Sequence, residues 1–125
     1  MSALADSEMR RDSYFRFCTL EYRPRKWGAD PSGIAPVVVL VLMGREDDLL
    51  FLIHPELRTI VRKEDSVFVE SLLRDFIKRA KVHPDALFKH LCSLGAGPLL
   101  TQTVGSSLSD HPSILELSSR FVELR

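Results

Sequence analysis

Two apolar runs separated by a short polar segment limit the folds open to this chain. The run VVVLVLM covers Val37–Met43, and LLFLI covers Leu49–Ile53. Each has the length of a strand, and continuous apolarity is typical of a strand covered on both faces. The segment GREDD between them predicts a turn, so we expect the two runs to form an antiparallel hairpin.

A strand before the hairpin and a long helix after it are also predicted. YFRFCTLEYR, at residues 14–23, is rich in aromatic and β-favouring residues and predicts the first strand. From Ser66 onwards the spacing becomes helical. Charged side chains occupy one side of this helix, and the other side carries an apolar stripe made of Val69, Leu72, Leu73, Phe76, Ile77 and Ala80.

The last third of the chain predicts two further helices and one short strand. A second helix is expected at 84–94, a strand at 99–104, a turn-rich connector at 105–110, and a last helix from Pro112 to about Leu124. This order predicts the α+β class, with an antiparallel sheet of three or four strands and about three packed helices.

The length and the polarity of the first residues set the domain organisation. Residues 1–12 are polar and without pattern, which predicts a flexible N-terminal tail, and residues 13–125 predict a single α+β domain.

The longest apolar run is far shorter than the roughly 18 residues of a membrane helix. The chain has 2 cysteines and no signal-like start. We therefore expect a cytoplasmic protein with reduced thiols and no membrane partner.

The histidines first suggest a metal site but are better explained as helix starts. His54, His83 and His111 each precede a proline. Proline is favoured at the first helical position, where its missing N–H costs nothing. His83 and His90, in VHPDALFKHL, would lie about 10 Å apart along a helix, too far to share one zinc ion. The sequence therefore predicts no metal and no cofactor.

Other residues with catalytic chemistry stand alone in the sequence. Cys18 and Cys92 both fall on apolar faces, where cysteine commonly acts as a small buried hydrophobe. The acids of GREDD fit a solvated turn, and TQTVGSS lacks the spacing and the lysine of a phosphate loop. No set of acid, base and nucleophile can be assembled, so a small enzyme with a Cys or carboxylate site has the least support.

The segment RPRKW is the strongest candidate for a binding site. Arg23, Arg25 and Lys26 accompany Trp27, the single tryptophan, at the start of a long loop. Tryptophan and arginine are enriched among the residues that dominate binding energy, and both can stack on nucleic-acid bases. The alternative is a tryptophan that packs over a sheet edge, with arginine stems beside it.

The segment LEYRP, with Leu20, Tyr22 and Pro24, is followed by a loop and then by the apolar strand. In these features the opening of the chain resembles a bacterial family of small proteins of unknown function found beside HipA-type kinases. The later order of long helix, Gly-Pro connector and DHP-initiated helix also matches. The segment 33–36 replaces the polar Glu and Asn of that family. The resemblance implies an accessory protein without a known catalytic site.

These observations favour a non-catalytic interaction protein. Lys plus Arg and Asp plus Glu both number 17, so no overall field attracts a polyanion. A hairpin that is apolar on both faces predicts contact with a protein partner or with a second copy, as a homodimer or an accessory subunit. The alternative is a nucleic-acid-associated regulator that uses RPRKW and the basic end of the long helix.

Overall fold

A computed structural model describes residues 14–24, 35–44, 48–108, 116 and 119–124. In chain order, these residues form β1 (Tyr14–Tyr22), β2 (Val37–Met43), β3 (Leu49–Ile53), α1 (Leu57–Ile60), α2 (Lys63–Val82), α3 (Pro84–Leu91), β4 (Leu99–Leu108) and β5 (Val122–Glu123). The predicted tail at 1–12 lies outside this part of the chain.

The strands form one sheet in the order β4-β1-β2-β3-β5, and every neighbouring pair is antiparallel. The α+β prediction and the β2–β3 hairpin are confirmed. The sheet has five strands and not the expected three or four, because Val122 and Glu123 pair with β3 where the last helix was predicted to continue. A strand of two residues has no alternation that could reveal it in the sequence.

The three helices of the described residues pack on one face of the sheet. On this face Cys18 lies opposite Val41, and Val41 lies opposite Phe51. All three are buried in one cluster with apolar side chains of the helices, namely Leu57, Val69, Leu73, Phe76, Leu87, Phe88 and Leu91. The predicted stripe of the long helix therefore forms the interface with the sheet.

The second face of the sheet is apolar as well. Leu40 lies opposite Leu52, and the two side chains expose only 0% and 7% of their surface. Next to them, Leu42 lies opposite both Phe17 and Leu50, and all three are half-buried. The prediction that the hairpin is buried on both faces is confirmed for β2, where consecutive residues 38–41 are fully buried.

Gly105 belongs to β4, so the predicted connector at 105–110 is wrong for its first four residues. Gly105 pairs with Phe17, and a Cβ atom at this position would lie 3.0 Å from Cζ of the Phe17 ring. The glycine therefore makes room for an aromatic ring inside the sheet. In the sequence, the same glycine beside serines is typical of a turn.

The His-Pro pairs mark helix starts at two described places. Pro84 begins α3 directly after His83, which occupies the N-cap position. In the turn before α1, the N–H of Glu56 donates to Nδ1 of His54 at 3.0 Å, and the N–H of Leu57 donates to the carbonyl of His54. His111 and Pro112 lie outside the described residues.

Within the described part of the chain, no helix is both long and apolar enough to cross a membrane.

Candidate interaction surface

The structure describes one of the four predicted binding residues. Arg23 directly follows β1, and its side chain is 44% exposed. Its Nε donates to Oε2 of Glu21 at 2.6 Å, and its backbone N–H donates to the carbonyl of Pro98 at 2.8 Å. Arg25, Lys26 and Trp27 lie outside the described residues. The binding segment therefore starts beside the residue that precedes β4.

Strand β4 forms one edge of the sheet. It pairs with β1 along its length, and among the described residues no strand pairs with its outer side. Its 10 residues, LLTQTVGSSL, include no charged residue and no proline. Natural edge strands are commonly protected from pairing by charges, prolines, bulges or shortness. At the opposite edge, β5 has only 2 residues.

A single irregularity divides β4 into two parts. Thr19 of β1 pairs with Thr103 and Leu20 pairs with Thr101, so Gln102 is an extra residue that forms a bulge. Beyond the bulge the pairing with β1 is regular through residues 103–108. In this part, the side chain of Val104 is 53% exposed. The regular part of β4 is therefore a neutral, extended edge that carries an exposed valine.

The first half of β4 is fixed to the end of α3 by Thr101. Its hydroxyl donates to the carbonyl of Leu91 at 2.6 Å and accepts the N–H of Leu94 at 2.8 Å. The N–H of Thr101 also donates to the carbonyl of Leu94 at 3.0 Å. Between these residues, Gly97 has φ of 92°, a conformation that favours glycine. These bonds place the edge strand rigidly against the helical layer.

The two cysteines meet in the core behind this strand. Cys18 is fully buried, Cys92 is half-buried against the same cluster, and both thiols are free. The two side chains lie close enough for each thiol to affect the other. Burial raises the pKa of both thiols, and the neighbouring thiol raises that of Cys18 further. The sequence correctly predicted two apolar positions, but no spacing pattern indicated that they are neighbours.

A buried polar pair fixes the start of α2. The hydroxyl of Tyr22 donates to Oδ2 of Asp65 at 2.6 Å and accepts the N–H of Arg62 at 3.1 Å. Tyr22 and Asp65 expose 2% and 1% of their surface. Burial and the hydrogen bond to Asp65 raise the pKa of the Tyr22 phenol. The pair anchors the sheet to the helix, and no pattern in the sequence indicates it.

The candidate metal ligands do not gather. His83 and His90 are both exposed on α3 and the turn before it, and no group of three or more His, Cys, Asp or Glu residues in the described ranges could hold a metal ion. Of the acids in GREDD, Asp48 is exposed at the start of β3, and the other two lie outside the described residues.

Comparison with known proteins gives no relative: no family model, no curated protein and no solved structure matches the chain. The resemblance to the family found beside HipA-type kinases therefore stays a prediction.

Proposed function

We propose that this chain is a non-catalytic interaction protein that pairs with a second copy of itself through the outer edge of β4. The observation that carries the proposal is the neutral edge at residues 103–108, with Val104 exposed. An open edge offers backbone N–H and C=O groups that another strand can complete, and side chains beside it add specificity.

A second copy suits this edge because the edge carries no charge. Two-fold symmetry would place identical segments antiparallel to each other. With no Lys, Arg, Asp or Glu in β4, such pairing opposes no like charges, which would destabilise neighbouring strands. An axis near Gly105 and Ser106 aligns the regular part of β4 in both copies and joins the two sheets into one.

The predicted binding segment would lie at the rim of this contact. The backbone of Arg23 is bonded to Pro98, which directly precedes β4. Arg25, Lys26 and Trp27 follow Arg23 in the sequence. We propose that they contact the partner next to the first residues of β4. We also propose a cytoplasmic location, which the free thiols of Cys18 and Cys92 support.

The test is the molar mass in solution, measured by light scattering over a dilution series. We expect a dimer that dissociates on dilution. Val104→Lys should raise the dissociation constant about tenfold or more, because one lysine from each copy would bring like charges into the same short paired segment. Val67→Lys is the matched control, since Val67 is 78% exposed on α2, away from the edge.

Two results would contradict the proposal. One is a strictly monomeric particle at high concentration. The other is a dimer that Val104→Lys leaves unchanged, which would place the contact elsewhere. Trp27→Ala distinguishes the contribution of RPRKW at the rim from that of strand pairing through β4. Weaker association of this variant would support the role of RPRKW. Unchanged association would remove that role and leave pairing through β4.

The nucleic-acid alternative has less support from the charges. At the basic end of α2, Arg79 pairs with Asp75 at 3.4 Å, and on α3 Lys89 pairs with Asp85 at 3.5 Å. Acidic residues thus lie among the basic residues that would contact a phosphate backbone. Arg23 is likewise bonded to Glu21.

A further inference from the structure

The pair of thiols between the sheet and α3 has no part in the proposed dimer contact. Cys18 is a central residue of β1, opposite Val41 on one side and Val104 on the other. Cys92 directly follows α3, and its N–H donates to the carbonyl of Phe88 at 3.0 Å. β1 and the turn after α3, which are far apart in the sequence, thus each contribute one thiol to the same part of the core.

The position of Cys92 is fixed by bonds on both sides of it. Thr101 is hydrogen-bonded to Leu91 and to Leu94, the residues that flank the turn containing Cys92. Thr101 itself lies opposite Leu20 in the sheet. Leu20 and Cys18 point to the same face of β1, because side chains alternate along a strand. The turn therefore lies against the face of β1 that carries Cys18, and both cysteines belong to the same core cluster.

The two cysteines differ in access. Cys18 is completely enclosed, whereas Cys92 is partly exposed. The guanidinium of Arg16 lies near Cys92 and lowers the pKa of its thiol, against the larger effect of burial. Arg16 is held there by the Phe88 ring, 5.1 Å from its Cζ, and by Asp85 at 3.7 Å. The thiol of Cys92 can therefore react with a small reagent, and the enclosed thiol of Cys18 lies next to it.

We propose that Cys18 and Cys92 form a reversible intramolecular disulfide when the protein meets a small disulfide such as oxidised glutathione. The Cys92 thiolate attacks one sulfur of the reagent, its S–S bond breaks, and one glutathione thiolate leaves. The Cys18 thiol then loses its proton and attacks the Cys92 sulfur. The second glutathione leaves as a thiolate that takes up this proton. Two protein thiols are oxidised, and one glutathione disulfide is reduced to two thiols.

The bond would fasten the sheet to the helical layer. It closes a loop that contains β2, β3 and all three described helices, and closing a long loop restricts the unfolded chain more than closing a short one. We therefore expect a melting temperature several degrees higher in the oxidised protein. The raised pKa of both thiols makes the exchange slow at neutral pH, since only the thiolate attacks.

The experiment uses the full chain and oxidised glutathione, followed over time by intact mass under non-reducing conditions and by peptide mapping. The wild type should lose the mass of two hydrogen atoms and yield a Cys18–Cys92 peptide pair, which dithiothreitol reverses. Cys18→Ala should accumulate a stable glutathione adduct on Cys92, because no second thiol removes it. Cys92→Ala should stay unmodified, because Cys18 is enclosed.

Several results would overturn the proposal. A wild type that keeps glutathione on Cys92 would show that Cys18 cannot reach the mixed disulfide. Covalent dimers through Cys92 would show that the outer thiol reacts between copies. Recovery of both thiols unmodified after oxidant treatment of the folded protein, with modification after unfolding in urea, would show that the core excludes the reagent. Peptide mapping of the wild type decides the outcome even if Cys18→Ala does not fold.

Discussion

The phenol of Tyr22 and the carboxylate of Asp65 share a 2.6 Å hydrogen bond that joins the last residue of β1 to the first turn of α2. The same phenol oxygen accepts the N–H of Arg62, one residue before the helix. The first backbone N–H groups of a helix have no acceptor inside the helix. Here the N–H of Arg62 donates instead to the Tyr22 side chain of the sheet. This explains why α2 begins at Lys63, before the apolar stripe starts.

Removing the Tyr22 hydroxyl should destabilise the protein. Tyr22→Phe leaves a buried carboxylate and a helix-start N–H each without one of its bonds, so we expect a loss of about 1–3 kcal/mol in the free energy of unfolding. Urea denaturation measures this loss. A double-mutant cycle with Asp65→Asn isolates the contact. A coupling energy near zero would show that the bond contributes nothing to stability.

Stability should fall as the pH rises above about 9. The thiols of Cys18 and Cys92 have folded pKa values above their ordinary 9.0, and the Tyr22 phenol lies above its ordinary 10.0. Above these ordinary values the unfolded chain loses protons that the folded protein keeps, so unfolding becomes more favourable with each step in pH. Urea titrations between about pH 7 and about pH 11 measure the slope.

The double variant Cys18→Ala/Cys92→Ala should flatten the part of this slope that begins near the ordinary thiol pKa of 9.0. Tyr22→Phe should flatten only the part above 10.0. A wild-type stability that is constant over the whole range would contradict the raised pKa values.

Adding a methyl group at Gly105 should destabilise the folded protein. In Gly105→Ala the new Cβ would lie 3.0 Å from the Phe17 ring, so the half-buried ring must move, at a cost of about 1 kcal/mol. Gly95→Ala is the control, because no atom lies within 4 Å of a Cβ placed there. Thermal melts compare the two variants. Phe17→Leu should relieve the loss at Gly105, and equal melting of both glycine variants would contradict the expected clash.

Nucleic-acid binding should be weak and sensitive to salt. The chain has as many acidic as basic residues, and each phosphate contact adds to the salt dependence of binding. Fluorescence anisotropy with labelled single-stranded and double-stranded DNA, over a range of salt concentrations, measures both properties. Tight, sequence-specific binding at physiological salt would favour the regulator over the proposed dimer.

The apolar runs predicted the centre of the sheet well. The predicted bounds of β2 and β3 agree with the structure because β2 is buried on both faces and every residue of β3 is at least half-buried, so no exposed polar residue interrupts either run. The stripe of α2 was equally clear, since one side packs against the sheet and the other meets water. Where an element is buried without interruption, its apolar pattern in the sequence shows where the element lies.

Features that depend on contacts between distant residues were not predicted. The four residues of α1 are too few to show a helical period, and β5 is recognised only by its bonds to β3. Nothing in LLTQTV indicates that β4 is an edge, because that depends on which strands lie beside it. The meeting of Cys18 with Cys92 likewise follows from the pairing of β1 with β4.

The sheet order has a consequence for synthesis on the ribosome. β1 receives its first neighbour, β2, soon after it emerges, but its second neighbour, β4, is made only after the three described helices. Until then a growing chain presents β1 as an open edge, and distant pairings of this kind form slowly. Chains stalled before Leu99 would therefore be the form most exposed to aggregation and to capture by chaperones. The arrival of β4 would close β1 and transfer the open edge to a strand without charges.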